Sequence, residues 1–303
     1  MSDIAWLNGQ LLPFSKLRLP VWDLGVVAGA AITEMARTYA HQPFRIERHL
    51  DRLLSSCAEI GFDIPYAKDS LHDAVSSVVQ ENARRLDAHD DLGIVVFVTA
   101  GANRTYLGAG PLPGPTVAVH TFRLPLEIWR QSVREGVRLR IPQRRQIECN
   151  SLPVHLKIRN RLHWWLADRE ADQIEAGSRA LLLDSTGCLT ETSTACFYAV
   201  IDGTILTPAE NVLNSLSCEM VQAAAEHLKI GFERTRLTPR MLTEATEAFV
   251  SSTPVGLLPV RSVDDVRFPL NGEHSMWARL LAYWKQQTGV HPAEQILGPS
   301  DSR

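Results

Sequence analysis

Short apolar segments of strand character and amphipathic helices follow one another along this 303-residue chain without forming regular strand–helix–strand units. The first strand, at residues 4–7, ends at an Asn8-Gly9 turn signal, and buried strands are predicted at 92–99 and 116–121. A strand is also predicted from about residue 31 to 39. The remaining strands are predicted at 136–141, 180–183, 189–190, 195–201, 204–206 and 248–252. A doubly wound parallel sheet needs regular crossover helices, so this order predicts the α+β class.

Helices are predicted where apolar residues recur at three- and four-residue spacing. The clearest covers residues 46–60, and others are expected at 70–86, 217–228 and 276–287. Lys157 is expected to open a further amphipathic helix, with Ile158, Leu162, Trp165 and Leu166 on one side.

The chain length allows one large or two medium domains. A loop rich in glycine and proline spans residues 100–115, and the stretch around Pro125 is typical of an interdomain connection. We therefore predict a domain at 1–122, a linker at 123–131, a larger domain at 132–290 and a polar, frayed tail from 290 or 291 to 303.

Composition excludes several classes of protein. The formal net charge is −3 without a basic block, which argues against nucleic acid as a partner. No apolar run reaches membrane-spanning length, and the first residues lack a signal-peptide pattern. The five cysteines form no CxxC pair and no metal-ligand spacing, so reduced thiols, no metal and a cytoplasmic location are expected.

Lys157 and Glu191 are the two residues that most directly indicate the function of this sequence. They lie 34 residues apart, Lys157 in Leu156–Arg161 and Glu191 after a tight turn in Asp184–Ser193. A lysine that can form a Schiff base, with a carboxylate held nearby, is the minimum equipment for pyridoxal phosphate chemistry.

These phrases, together with several others in the same order, make the chain resemble the class IV (fold type IV) pyridoxal phosphate enzymes over residues 6–285. The resemblance implies a small N-terminal α+β domain and a larger C-terminal domain, with the cofactor between them, and usually a homodimer. It implies Lys157 as the Schiff-base lysine and Glu191 as the partner of the pyridine nitrogen.

The phosphate ligands are implied by three further phrases. His49–Leu53 resembles the family's H-x-x-R-L helix, in which Arg52 grips the phosphate. Thr207–Ser217 resembles the turn into a helix at which the backbone of Leu216 and the hydroxyl of Ser217 bind phosphate. Phe249–Thr253 resembles the phrase that supplies Thr253.

The chain departs from the family pattern at four of these positions. Asn214 and Ser215 stand where proline and glycine are usual, Cys218-Glu219 replaces the arginine position, and Cys196 replaces an asparagine. Ser217 could also be an ordinary helix cap. The altered turn leaves open a degenerate, non-catalytic member of the family.

On the substrate side, Gly25–Arg37 resembles a family phrase in which large aromatic residues line the pocket, here reduced to Ala28 and Thr33. Arg37 keeps the family's identity, as a substrate ligand or as part of a structural ion pair with Glu34 as its counterpart. Arg104, in the long glycine loop, is the first candidate for binding a substrate carboxylate, and Arg144 and Arg145 are other candidates.

The K-x-x-N-R-L spacing from Lys157 favours the D-amino acid aminotransferase or aminodeoxychorismate lyase branches, whereas Glu34 and Met35 favour transamination. We therefore predict an aminotransferase that moves an amino group from a branched-chain-like or D-amino acid to a 2-oxo acid. The alternatives are elimination of pyruvate by a lyase, R-selective amine transamination and the inactive protein.

Overall fold

The computed structural model describes residues 3–270, 272 and 274–298. The chain divides into two compact units, the first formed by Met1–Leu124 with Leu156–Asn160 and the second by Pro125–His155 with Arg161–Arg303. The sequence-based boundary places Lys157 in the second unit, whereas its contacts place it in the first.

The first unit contains strands, α-helices and one 3-10 turn, in the order β1 Ile4–Leu7, β2 Gln10–Pro13, the 3-10 turn Phe14–Lys16, α1 Leu24–Val27, β3 Ala31–Tyr39, β4 Gln42–Pro43, α2 Ile46–Glu59, α3 Lys68–Ala83, β5 Leu92–Thr99, α4 Arg104–Leu107 and β6 Val117–Arg123. Among the described residues, six strands form one antiparallel sheet in the order β2-β1-β6-β5-β3-β4. Apolar side chains of α2 and α3 pack on it, Leu50, Leu53 and Val75 among them.

The second unit follows in the order of the 3-10 turn Leu126–Trp129, α5 Arg130–Glu135, β7 Val137–Arg140, α6 Leu162–Ile174, β8 Arg179–Leu183, β9 Leu189–Thr192, β10 Cys196–Ile201, β11 Thr204–Pro208, α7 Leu216–His227, β12 Phe232–Thr235, the 3-10 turn Pro239–Glu244, β13 Glu247–Ser252, β14 Gly256–Val263, β15 Val266–Arg267, α8 Met276–Thr288 and α9 Pro292–Leu297. Its strands form a mixed sheet in the order β12-β11-β10-β13-β14-β7-β8-β9, with β15 beside β14. The α+β prediction is therefore confirmed.

The helix predicted at Lys157 is wrong. Helix α6 begins only at Leu162, and Lys157 lies in an irregular segment before it. Leu162 and Trp165 are exposed, whereas α6 buries Trp164, Ala167 and Ala171. Pairing of the Lys157 backbone with another strand outweighs the local helical pattern, so an argument from a helix dipole at Lys157 does not hold.

The frayed tail is a second correction. Residues 292–297 form α9, and its Ala293 and Ile296 are buried because small and apolar residues recur on one face of this short helix. Residues 299–303 of the predicted tail lie outside the described residues. The short helix α4 also interrupts the segment 100–115, which was expected to be a loop.

No helix within the described ranges has both the length and the apolar character needed to cross a membrane.

Candidate functional site

The segment that carries Lys157 is fixed by its backbone to the start of β3. The amide of Thr33 donates to the carbonyl of Lys157 at 3.0 Å, and the amide of Arg159 donates to the carbonyl of Ala31 at 2.9 Å. Ile158 completes this antiparallel bridge with Ile32. The position of the Lys157 backbone is therefore set by the sheet of the first unit.

On the same strand, Glu34 joins two side chains of α2. Its carboxylate accepts hydrogen bonds from Nε and Nη2 of Arg52, each at 2.7 Å, and lies 2.7 Å from Nδ1 of His49. His49 and Arg52 are three residues apart and so share a helix face. Arg52 has five N–H donors, and Glu34 accepts from two of them.

This cluster is buried and charged. Burial alone would raise the pKa of Glu34, but hydrogen bonds from His49 and Arg52 outweigh that effect and lower the pKa from 4.5 to about 2. Burial lowers the pKa of His49, and the positive charges of Arg52 and Lys157 lower it further. Lys157 therefore acts electrostatically on the same cluster as Arg52.

The three predicted substrate residues occupy different environments. Thr33 is buried, and its hydroxyl donates to the carbonyl of Val96 at 3.1 Å. Arg37 is also buried and pairs with Asp91 at 3.3 Å, so its guanidinium faces a carboxylate inside the protein. Arg104 is exposed on α4, where it donates to the carbonyl of Gly108. Arg37 therefore fits a structural ion pair better than a substrate ligand, but the expected partner Glu34 was wrong: Glu34 pairs with Arg52, because residues 34 and 37 lie on opposite faces of β3.

In the second unit, Glu191 lies buried within β9 and accepts a hydrogen bond from the amide of Leu213 at 3.2 Å. Burial lowers the pKa of Arg161, and the nearby charge of Glu191 opposes that shift. Arg161 also donates to the carbonyl of Ser193. Within the described residues, the buried Ser193 Oγ has no hydrogen-bond partner.

The start of α7 has the features of an anion site. Ser215, and not Ser217, caps the helix, because its Oγ accepts from the amide of Cys218. The amides of Leu216 and Ser217 donate to no acceptor among the residues that the structure describes. Unpaired amides at the positive end of a twelve-residue helix bind anions readily. The unusual Ser215 thus preserves the helix start.

The departures at Cys196 and Cys218 meet in space. Each influences the ionisation of the other, and both line a small cleft together with Glu191 and Arg234. Arg234 Nη2 lies 3.3 Å from the sulfur of Cys218. A guanidinium from β12 thus lies beside the position at which the family pattern has an arginine.

Two sets of residues were not predicted as site residues. The first set is Glu34 and His49, which join the predicted Arg52. The three-residue spacing of His49 and Arg52 along α2 was the signal available for this set. The second set is Ser251 and Tyr198, which bond to one another at 2.8 Å and connect to Ser217. Ser251 lies within the Phe249–Thr253 phrase, which was a signal for it, whereas the contact of Tyr198 depends on strand pairing and had none.

The model of the family described as amino-transferase class IV matches residues 31–263 of the chain. The chain belongs to this family. The match covers every predicted site residue, from Thr33 to Thr253.

Relatives of this class IV aminotransferase are themselves named as aminotransferases. It is 28% identical over 262 residues to the D-alanine aminotransferase of Bacillus licheniformis, covering 85% of this chain and 87% of the relative. It is 23% identical over 261 residues to a probable branched-chain-amino-acid aminotransferase of Rickettsia felis, covering 86% and 87%. These names favour an aminotransferase over the lyase, the amine transaminase and the inactive protein.

Solved structures show the same fold. The branched-chain aminotransferase from Thermoproteus uzoniensis with norvaline matches with a TM-score of 0.83 and 24% identity, covering 98% of each chain. The PLP form of the Thermobaculum terrenum enzyme matches with a TM-score of 0.81 and 20% identity, covering 95% of this chain and 94% of that one.

Pyridoxal 5'-phosphate is the cofactor of class IV aminotransferases, which act on amino acids and 2-oxo acids. The residues present fit this group. The first unit offers the Glu34–Arg52 pair and Lys157, whose charge acts on the His49 that is bonded to Glu34. The second unit offers a buried carboxylate and a helix start with unpaired amides.

Proposed function

We propose that the cofactor is held by Lys157, Arg52, Glu191, Leu216, Ser217 and Thr253. Lys157 supplies the covalent link, and Glu191 pairs with the pyridine nitrogen. The other four residues bind the phosphate. The observation that carries this assignment is the helix start of α7, where the amides of Leu216 and Ser217 have no acceptor among the described residues and a buried hydroxyl lies beside them.

Bound pyridoxal phosphate supplies an electron sink for the electrons left at the substrate Cα when its proton is removed. Lys157 Nζ is the proposed base that accepts this proton and then acts as the acid that donates it again later in the reaction. Glu191, whose carboxylate accepts from the Leu213 amide, would keep the pyridine nitrogen of the bound cofactor protonated. Glu34 fixes Arg52 against rotation through two bonds.

For the amino donor we propose a D-amino acid. The K-x-x-N-R-L spacing that begins at Lys157 and the 28% identity to a D-alanine aminotransferase support this choice. Arg104 is the proposed partner of the donor carboxylate, because it is an exposed guanidinium on the loop after β5. An L-branched-chain donor is the second candidate, favoured by the name of the Rickettsia felis relative.

A homodimer in the cytoplasm is proposed as the working state of the enzyme. The family resemblance supports the dimer. The scattered cysteines, all of which are free thiols, support a reducing compartment.

The test is a half-reaction followed by absorbance. The full-length protein is loaded with pyridoxal phosphate and mixed separately with D-alanine, L-leucine and an R-amine. We expect D-alanine to convert the spectrum to that of the pyridoxamine form, and Ser217→Ala to weaken cofactor binding. Conversion by L-leucine alone would select the second candidate, and unchanged cofactor binding by Ser217→Ala would overturn the phosphate assignment.

A further inference from the structure

Asp23 is a buried carboxylate at the base of the loop that carries Arg104. It has no exposed surface, and Oδ1 accepts a hydrogen bond from the amide of Gly25 at 2.7 Å. Oδ2 accepts from the hydroxyls of Thr99 at 2.9 Å and Thr116 at 3.0 Å. All three donors are uncharged groups. A buried carboxylate needs such bonds, because each lost bond leaves part of its charge without compensation.

The two threonines mark the two ends of this loop. Thr99 is the last residue of β5, and Thr116 directly precedes β6, so residues 100–115 leave the sheet at one and return to it at the other. The Thr99 hydroxyl oxygen accepts from the amides of Gly101 at 3.1 Å and Thr116 at 3.3 Å. Because it already accepts from two amides, its own proton is donated to Asp23. The carboxylate therefore closes the loop at its base.

The segment that contains Asp23 also pairs with the start of the loop. The amide of Leu24 donates to the carbonyl of Gly101 at 2.7 Å, and the amide of Asn103 donates to the carbonyl of Trp22 at 3.0 Å. Residues 23 and 102 form the antiparallel bridge between these two bonds. Gly25 lets this segment approach β5, because a side-chain carbon at residue 25 would lie 2.6 Å from Cγ2 of Thr99.

Arg104 begins α4 directly after this paired segment. Asn103 caps the helix, since its side chain accepts from the amide of Thr105 at 2.9 Å. Among the described residues, the guanidinium of Arg104 bonds only to the carbonyl of Gly108, at 3.3 Å and within the same loop. The position of Arg104 relative to the sheet is therefore set by the base of the loop, at which Asp23 lies.

We propose that Asp23 is a positioning residue for Arg104, so that loss of its carboxylate weakens recognition of the donor carboxylate but not binding of the cofactor. The inference rests on the proposed function, in which Arg104 binds that carboxylate. Cofactor binding is spared because the backbone of Lys157 is held by β3, and the pairing of β3 with β5 does not involve the Asp23 carboxylate.

Three variants test the inference. Asp23→Asn keeps the shape of the side chain but, whichever way its amide is turned, replaces an accepting oxygen by an N–H group. Thr116→Val removes one hydroxyl from a half-buried position and keeps the volume, so it is the variant with the least risk to folding. Thr121→Val is the matched control, because it removes a buried hydroxyl within β6 that accepts from Asn82 at 2.7 Å.

Kinetic constants are measured for the full-length, cofactor-loaded enzyme with the donor that converts the cofactor in the half-reaction, D-alanine or L-leucine. We expect Asp23→Asn and Thr116→Val to raise KM about threefold to tenfold, the size of one hydrogen bond, with a smaller change in kcat. Thr121→Val should leave KM unchanged, and none of the three should change the dissociation constant of pyridoxal phosphate. Combined with Arg104→Gln, the first two substitutions should add less than about twofold, because their effect requires Arg104.

Hydrogen exchange gives a readout that does not depend on the substrate. Peptides covering residues 100–107 should exchange faster in Thr116→Val than in the wild type or Thr121→Val, because the base of the loop opens more often. Unchanged exchange in this region would overturn the inference.

The kinetic outcomes separate the inference from the proposed function. If Arg104→Gln raises KM but the effect of Asp23→Asn adds to it in full, Asp23 does not act through Arg104, and the inference is overturned while the role of Arg104 stands. An equal rise of KM in Thr116→Val and Thr121→Val, or no rise in Thr116→Val, also overturns the inference alone. If Arg104→Gln leaves KM unchanged, both are overturned.

Discussion

Glu34 and Arg52 are joined by two hydrogen bonds of 2.7 Å, one to Nε and one to Nη2 of the guanidinium. The carboxylate comes from β3 and the guanidinium from α2, so this contact fixes a helix to the sheet that also holds the Lys157 backbone. It links the stability of the first unit to the position of a proposed cofactor ligand.

Replacing Glu34 by glutamine should therefore affect both properties. The variant leaves Arg52 without its buried counter-charge, and we expect a loss of about 3 kcal/mol in the free energy of unfolding. Cofactor affinity should fall about tenfold, because Arg52 is no longer fixed. Urea unfolding and a cofactor titration measure the two effects. Glu81→Gln, which breaks an exposed pair with Arg84, is the control and should change stability by less than about 1 kcal/mol.

The same contact predicts that the free energy of unfolding depends on pH in the acid range. The pKa of Glu34 is about 2 in the folded protein against its ordinary value of 4.5, so the unfolded state binds more protons between these values. The stabilisation is complete above about pH 4.5 and is lost as pH falls toward 2. Urea unfolding at several pH values should show this slope in the wild type but not in Glu34→Gln. Equal slopes would contradict the prediction.

Arg104 gives a prediction about substrate binding. If it meets the donor carboxylate, Arg104→Gln should raise KM for an amino acid donor about tenfold or more, with a smaller change in kcat. An amine donor without a carboxylate should be unaffected if the enzyme accepts one. Arg123→Gln, which removes another exposed arginine of the first unit, is the matched control. A KM shift equal in both variants would exclude a specific role for Arg104.

Ser215 gives a prediction about the helix start. Its Oγ caps α7, so Ser215→Ala should cost about 1 kcal/mol of stability, whereas Ser215→Asp should preserve most of the cap. Thermal unfolding measures the difference. If Ser215→Gly, which restores the residue of the family pattern, is as stable as the wild type within a few tenths of a kcal/mol, the cap geometry is retained by the backbone alone.

Much of this architecture could be predicted from the sequence because local patterns and burial agree. The continuous apolar run of β5 is typical of a buried strand and the apolar spacing of α2 is typical of a helix, and both elements were predicted to within a residue or two. The start of α7 was also predicted to within one residue, because its apolar and capping residues are local signals.

The segment around Lys157 could not be predicted in this way. Its apolar residues fit a helix, but the backbone of residues 157–159 pairs with β3, which lies more than a hundred residues earlier in the chain. The same limit applies to Arg37, whose partner Asp91 comes from the start of β5, and to the contact of Cys196 with Cys218. Such contacts depend on register and on side-chain direction, which one sequence does not specify.

The most direct test of the account is to identify the lysine that carries the cofactor. The chain has five lysines, at positions 16, 68, 157, 229 and 285, and proteolysis can place them in different peptides. The protein is loaded with pyridoxal phosphate, reduced with borohydride to fix the lysine–cofactor linkage, digested and analysed by mass spectrometry. We predict that the cofactor mass is found on the peptide that contains Lys157. Its presence on another lysine, or a Lys157→Ala variant that is labelled equally, would contradict the assignment.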